Sequence, residues 1–124
     1  MKDTIRKYDL EERLINYAVL IIEIIEEMKN LKAANHLASQ LVRSGTSPAL
    51  NYGEAQSAES RKDFIHKIKI ILKELRESLV CLKIILQANF YEKKVTIQKA
   101  IKESNELISI FVKSVETATN NERK

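Results

Sequence analysis

The sequence is poor in the residues that interrupt helices and in those that build disulfide scaffolds. Its 124 residues include two glycines, one proline, one cysteine and no tryptophan. So few turn residues exclude a β-sandwich or a collagen-like repeat and favour long helices. The single Cys81 cannot form an intramolecular disulfide, so we expect a packed thiol and a reducing compartment.

Long apolar runs are also missing. The longest uncharged apolar run near the start covers residues 17–22 and is ended by Glu23, whereas a membrane-spanning helix needs about 20 apolar residues. The acidic residues Asp9, Glu11 and Glu12 precede this run, unlike the basic start of a secretory signal. We therefore expect a soluble, cytoplasmic protein with no membrane partner.

The sequence shows none of the familiar arrangements of catalytic or metal-binding side chains. His36 and His66 lie far apart, without an HExxH motif or a neighbouring cysteine. There is no glycine-rich phosphate loop, no G-x-S-x-G motif and no Glu-x-x-His pair of the di-iron bundles. We predict a non-enzymatic protein with no catalytic residue, no metal and no cofactor.

Four segments place apolar residues at steps of three and four, the spacing of one face of a helix. Joined by short loops, they predict an all-α fold, an up-down-up-down four-helix bundle. A single domain would span 1–124, with a polar frayed tail at about 119–124. The predicted helices cover residues 8–30, 33–58, 61–89 and 91–118.

Local signals indicate how the second and third helices are delimited. Pro48 follows a Ser-Gly-Thr-Ser cluster, which allows a stop and restart or a kink. We favour a kink in one long helix, because the apolar period continues from Asn51 to Ala58. Ser60 and Asp63 have capping-box spacing at the start of the third helix, and Asn89 ends it.

More apolar residues are present than one bundle core requires. Surplus apolar surface of this kind marks interfaces, so the sequence predicts a homo-oligomer. The residues that lie off the main apolar seam are Val19, Leu20, Ile22, Ile70, Leu72, Ile84 and Ile85.

Positive charge is concentrated in the third quarter of the chain. The net charge is +4, and residues 60–94 hold nine basic side chains against four acidic ones. A solvated helix face is the simple interpretation, and a surface that binds the phosphates of RNA or DNA is the alternative. Lys62, Lys69, Lys73 and Arg76 would share one side of the helix. The candidate nucleic-acid-binding residues are Arg61, Lys62, Lys67, Lys69, Lys73, Lys93 and Lys94.

A polar stripe also runs along the second helix. Arg43, Ser47, Asn51 and Glu54 follow one another at steps of four, four and three. An exposed face would explain this pattern, as would a buried network in which Arg43 pairs with Glu54 or Glu77. We expect the network, because Arg43 is the only basic residue in an otherwise weakly charged stretch.

The stretch from Arg43 to Lys67, together with Leu72-Lys-Glu-Leu-Arg-Glu, resembles the signature of the bacterial four-helix-bundle proteins named for 23S rRNA intervening sequences. Pro48 and Cys81 depart from that signature, which often has an aliphatic and an aromatic residue at these positions. The structural signature positions present here include Arg43, Ser47, Asn51, Glu54, Asp63, Phe64, Glu74 and Glu77.

The resemblance implies a homopentameric ring with a basic surface, a family without an established molecular function, and a relation to accessory proteins of diversity-generating retroelements. It leaves three hypotheses open. The protein could bind RNA or DNA through its lysines and arginines, dock a partner protein such as a reverse transcriptase, or serve as a structural oligomer.

Overall fold

The computed structural model describes the backbone of residues 2–123 and the side chains of residues 10–121. Within this range the chain is all-α and contains no strand, as predicted. The four helices are α1 (Lys2–Glu26), α2 (Lys32–Gln56), α3 (Arg61–Gln87) and α4 (Lys94–Arg123).

Short loops make each helix antiparallel to the next, which gives the predicted up-down-up-down bundle. Helix α2 packs between α1 and α3, and α4 packs against α3 and, less extensively, against α1. The backbones of the described parts of α1 and α3 do not approach each other closely, so these two helices are diagonal partners that run in the same direction and meet only through core side chains.

The core contains the predicted apolar stripes. Leu14, Tyr17 and Ile21 of α1 meet Leu75 of α3 and Phe111 of α4 in one continuous cluster of buried side chains. Cys81 is a buried free thiol in the same cluster, as expected, and burial raises its pKa.

Helix α3 has well-defined ends. The Ser60 Oγ accepts a 3.0 Å hydrogen bond from the backbone N–H of Asp63, which confirms the predicted cap. At the other end Asn89 adopts a left-handed conformation with φ 59°. The N–H groups of Asn89 and Phe90 bond to the carbonyls of Leu86 and Ile85, which is the Schellman pattern of helix termination.

Helix α2 is continuous through Pro48, which confirms one helix rather than two. Gly45 lies one turn before Pro48 and is buried against α1. A Cβ atom at this position would lie only 2.8 Å from Cγ1 and Cγ2 of Ile21. Glycine therefore allows the backbone of α2 to approach α1 closely.

Three sequence predictions about the fold are wrong in detail. Helix α1 covers Lys2–Glu26 rather than residues 8–30, and α4 covers Lys94–Arg123 rather than residues 91–118, so most of the predicted frayed tail is helical. Ile85 was expected off the main seam but is fully buried. It is enclosed because α3 packs against both α2 and α4, which buries a wider arc than one apolar stripe.

Candidate nucleic-acid interface

The outer side of α3 carries five exposed cationic side chains, which we name the basic face: Lys62, Lys69, Lys73, Arg76 and Lys83. None of them forms an ion pair with another described residue. At a rise of 1.5 Å per residue the face extends for about 31 Å along the bundle. It is a continuous stripe of uncompensated positive charge.

The carboxylates of α3 are engaged in other contacts. Asp63 is partly buried in the first turn, where a negative charge favours the helix N-terminus. Glu74 and Glu77 both bind Arg43 of α2. Glu77 lies one turn after Lys73 at the border of the basic face, but Arg43 neutralises it, so no unpaired carboxylate of α3 lies among the cations.

The other candidate basic residues occupy different surroundings. The Lys67 Nζ lies 3.5 Å from a Glu54 carboxylate oxygen, and the Lys93 Nζ lies 2.6 Å from one of Glu27. The hydrogen bond from Lys93 to Glu27 raises the pKa of Lys93. Lys67 is therefore neutralised by Glu54 of α2, and Lys93, in the loop before α4, is neutralised by Glu27, which directly follows α1.

Arg61 and Lys94 are exposed but stand at the first turns of α3 and α4. Arg61 lines an open cleft of about 990 Å³ at one end of the bundle, whose walls include Tyr52 and Phe64. The structure thus brings Lys62, Lys69 and Lys73 together and separates them from the remaining four candidates. Arg76 and Lys83 complete the basic face, and helical spacing is the signal that identifies them.

Arg43 forms the predicted ion-pair network, with a different distribution of burial. Its Nη1 lies 2.9 Å from a Glu74 carboxylate oxygen, and its Nη2 binds Glu77. The Arg43 side chain is 56% exposed, whereas that of Glu74 is 11% exposed. The expectation of a mostly buried Arg43 is therefore wrong, because the carboxylate is the buried partner. Glu77 is confirmed as a partner, and Glu54 is not.

Three further hydrogen bonds reinforce the signature region. The Ser78 and Ser44 hydroxyls lie 3.0 Å apart in the buried contact between α3 and α2. The Asn51 Nδ2 donates to the Ser47 Oγ at 2.8 Å and to the Ser47 carbonyl at 3.1 Å, across the turn that contains Pro48. With Phe64 packed against the core, the signature residues hold α2 and α3 together.

Polar contacts also join α1 to α4, and sequence reasoning did not anticipate them. Arg13 binds Glu103 through two hydrogen bonds of 2.7 and 3.1 Å. The Tyr17 hydroxyl lies 2.7 Å from the Ser104 Oγ, which in turn donates to the Ala100 carbonyl. Burial raises the pKa of Tyr17.

The described residues form neither a metal-binding group nor a membrane-spanning helix. No group of three or more His, Cys, Asp or Glu side chains is arranged to hold a metal ion in this part of the chain. No helix in it is both long enough and apolar enough to cross a membrane.

The chain is similar to a solved structure and to a family of proteins. A structure described as a protein with unknown function from the S23 ribosomal protein family of Bacteroides thetaiotaomicron superposes with a TM-score of 0.77 at 26% identity, covering 86% of this chain and 97% of that chain. No curated protein matches. The family profile described as 23S rRNA-intervening sequence protein matches residues 6–113. The chain therefore belongs to the 23S rRNA-intervening sequence protein family.

Proposed function

We propose that the protein is a non-enzymatic, self-associating helical bundle that binds the phosphate backbone of RNA or DNA through the basic face of α3. The observation that carries this proposal is the run of five exposed, unpaired cations without an unpaired carboxylate among them. Clustered positive charge of this kind binds nucleic acid by releasing condensed counterions. Because the proposed ligands, RNA and DNA, lie inside the cell, the proposal includes a cytoplasmic location for the protein.

The surroundings of the basic face support contacts to phosphates rather than to bases. Sequence-tolerant stacking requires exposed aromatic rings, and every aromatic side chain in the described range 10–121 is buried or partly buried. Among its cations the basic face also carries no amide and no unpaired carboxylate, so it lacks the side chains that read adenine and cytosine. We therefore expect binding without sequence preference and with a Kd of about 10⁻⁴–10⁻⁶ M for one face.

Self-association would strengthen this weak interaction on long nucleic acids. A ring of five copies, the number that the family resemblance implies, would present five basic faces. Multivalent contact of this kind raises avidity by about 10²–10⁴ without any new contact within one face.

The test is a series of binding measurements at increasing salt for the wild type and for Lys62→Glu/Lys69→Glu. Each phosphate contact contributes about 0.9 to the slope of log K against log salt, so the double variant should lose about 2 in slope. Lys99→Glu/Lys102→Glu is the matched control, because these exposed lysines lie beside α1 in the groove between α1 and α4. The control should keep the wild-type slope despite its identical change in charge.

A wild-type affinity that does not change with salt would contradict nucleic-acid binding by the basic face. So would equal losses in the two double variants, since binding would then depend on net charge alone. Either result would favour the docking of a partner protein or a structural oligomer.

A further inference from the structure

The outer side of α1 combines carboxylates with exposed aliphatic side chains. Ile15, Val19 and Ile22 follow at steps of four and three and are 48%, 48% and 42% exposed. Unpaired acidic residues flank them, and none of these forms an ion pair with another described residue. We name this surface the acidic face; its carboxylates are Glu11, Glu12, Glu23 and Glu26.

The basic face of α3 has a matching apolar group. Val80 and Ile84 lie among its cations and are 55% and 44% exposed. Each face is thus an exposed aliphatic patch bordered by unpaired charges of one sign. The unpaired charges are negative on the acidic face and positive on the basic face. Exposed aliphatic residues arranged in this way are typical of an interface.

One molecule cannot bring its own two faces together. Helices α1 and α3 are diagonal in the bundle, so the acidic and basic faces point to opposite sides. Two copies can do so when the helices of the second copy run in the same direction as those of the first. From this complementarity we infer that the acidic face of one copy docks on the basic face of the next, in a head-to-tail contact. The inference rests on the proposed self-association and specifies which surfaces meet.

The order of residues along the two helices supports this pairing. In a parallel contact, the aliphatic patches align when Val19 lies level with Leu82 of the neighbouring copy. The same alignment places Glu11 and Glu12 level with residues 74 and 75, beside Lys73 and Arg76. The aliphatic side chains of the two patches then cover one another. About two helical turns before the patches, the carboxylates of α1 meet the cations of α3. Complementary potentials of this kind also select against the like-charged alternatives, α1 on α1 and α3 on α3.

A head-to-tail contact has a consequence that a two-fold contact lacks. Each copy contributes a different surface to its two neighbours, so assembly continues until a ring closes or a filament forms. A copy with one damaged face can still use the other. Two differently damaged copies should therefore form one intact junction between them and then stop.

The experiment uses one variant for each face. Ile15→Lys/Val19→Lys places positive charge on the acidic face, and Val80→Gln/Ile84→Gln replaces the aliphatic patch of the basic face with uncharged polar side chains, which cannot pair with the new lysines. All four positions are about half exposed, so both variants should fold, which circular dichroism and thermal melting would confirm. Leu50→Lys/Val95→Lys is the matched control, since these aliphatic residues are 70% and 81% exposed on α2 and α4.

Masses are measured by analytical ultracentrifugation. We expect the wild type and the control to form the same oligomer, and each interface variant alone to sediment as a monomer of 14.3 kDa. An equimolar mixture of the two interface variants should double that mass and grow no further.

Interface variants that keep the wild-type mass would overturn the inference and leave the proposed self-association intact. Two monomeric variants that do not combine would also overturn it, because they would indicate a two-fold contact. A monomeric wild type would overturn both the inference and the proposed oligomer. Nucleic-acid binding is measured separately with Ile15→Lys/Val19→Lys. This variant alters only α1 and keeps the whole basic face, so it should still bind RNA or DNA when self-association is lost.

Discussion

At the scale of single residues, the ion pair between Arg43 and Glu74 leaves its carboxylate rather than its guanidinium buried. Arg43→Ala would leave Glu74 buried without its partner. We expect a loss of about 1–3 kcal/mol in the free energy of unfolding, below the cost of breaking a fully buried pair because Arg43 is half exposed. Urea denaturation of Arg43→Ala in the wild type and in a Glu74→Gln background measures this coupling. An equal loss in both backgrounds would show that the pair contributes nothing.

Tyr17 gives the buried core a dependence on alkaline pH. Its hydroxyl bonds to Ser104, and burial raises its pKa above the ordinary value of about 10. Since the unfolded chain loses this proton first, stability is complete below pH 10 and falls as the pH rises through the higher folded pKa. Tyr17→Phe should cost about 0.5–1.5 kcal/mol at pH 7 and should reduce the decline above pH 10. Thermal melting from pH 7 to 11 measures both effects, and parallel profiles would exclude Tyr17 as a cause.

At the scale of helices, the two glycines of α2 should respond oppositely to the same substitution. Gly45 is buried against Ile21, whereas nothing lies within 4 Å of a Cβ placed at Gly53. Gly53→Ala should stabilise the protein by about 0.5–1 kcal/mol through helix propensity. Gly45→Ala should destabilise it by about 1–3 kcal/mol, because Ile21 must move. Urea denaturation of both variants tests this. Stabilisation of both would mean that the Ile21 side chain can shift away from residue 45 at little cost in free energy.

The positions of the helices could be predicted from the sequence more completely than the contacts between them could. The spacing of apolar residues in α3 and the cap at Ser60 are local properties, and both predictions are confirmed. The pairing of Lys67 with Glu54, and of Lys93 with Glu27, depends on which helix lies alongside, and no single segment records this. The same reason explains why the network around Arg43 was foreseen but its buried member was not.

At the scale of the whole molecule, a net charge of +4 hides a strong asymmetry. The acidic face of α1 and the basic face of α3 lie on opposite sides of one bundle. The basic face is shared between two proposed ligands, the phosphates of a nucleic acid and the carboxylates of a neighbouring copy. Lys73 and Arg76 lie where both would bind, so the two associations should oppose each other.

We therefore expect a short oligonucleotide that covers one basic face to weaken self-association by several-fold. Because coupling between two binding events is reciprocal, Ile15→Lys/Val19→Lys should bind the same oligonucleotide more tightly than the wild type by the same factor. A long nucleic acid should show the reverse order, because Lys62 and Lys69 lie outside the docked stretch of α3 and stay accessible in every copy of the wild-type oligomer, which gains avidity from them. Sedimentation of the protein with increasing oligonucleotide, and binding titrations with both lengths, measure these effects. If saturating oligonucleotide leaves the mass of the oligomer unchanged, the two ligands use separate surfaces, and Lys73 and Arg76 serve only one of them.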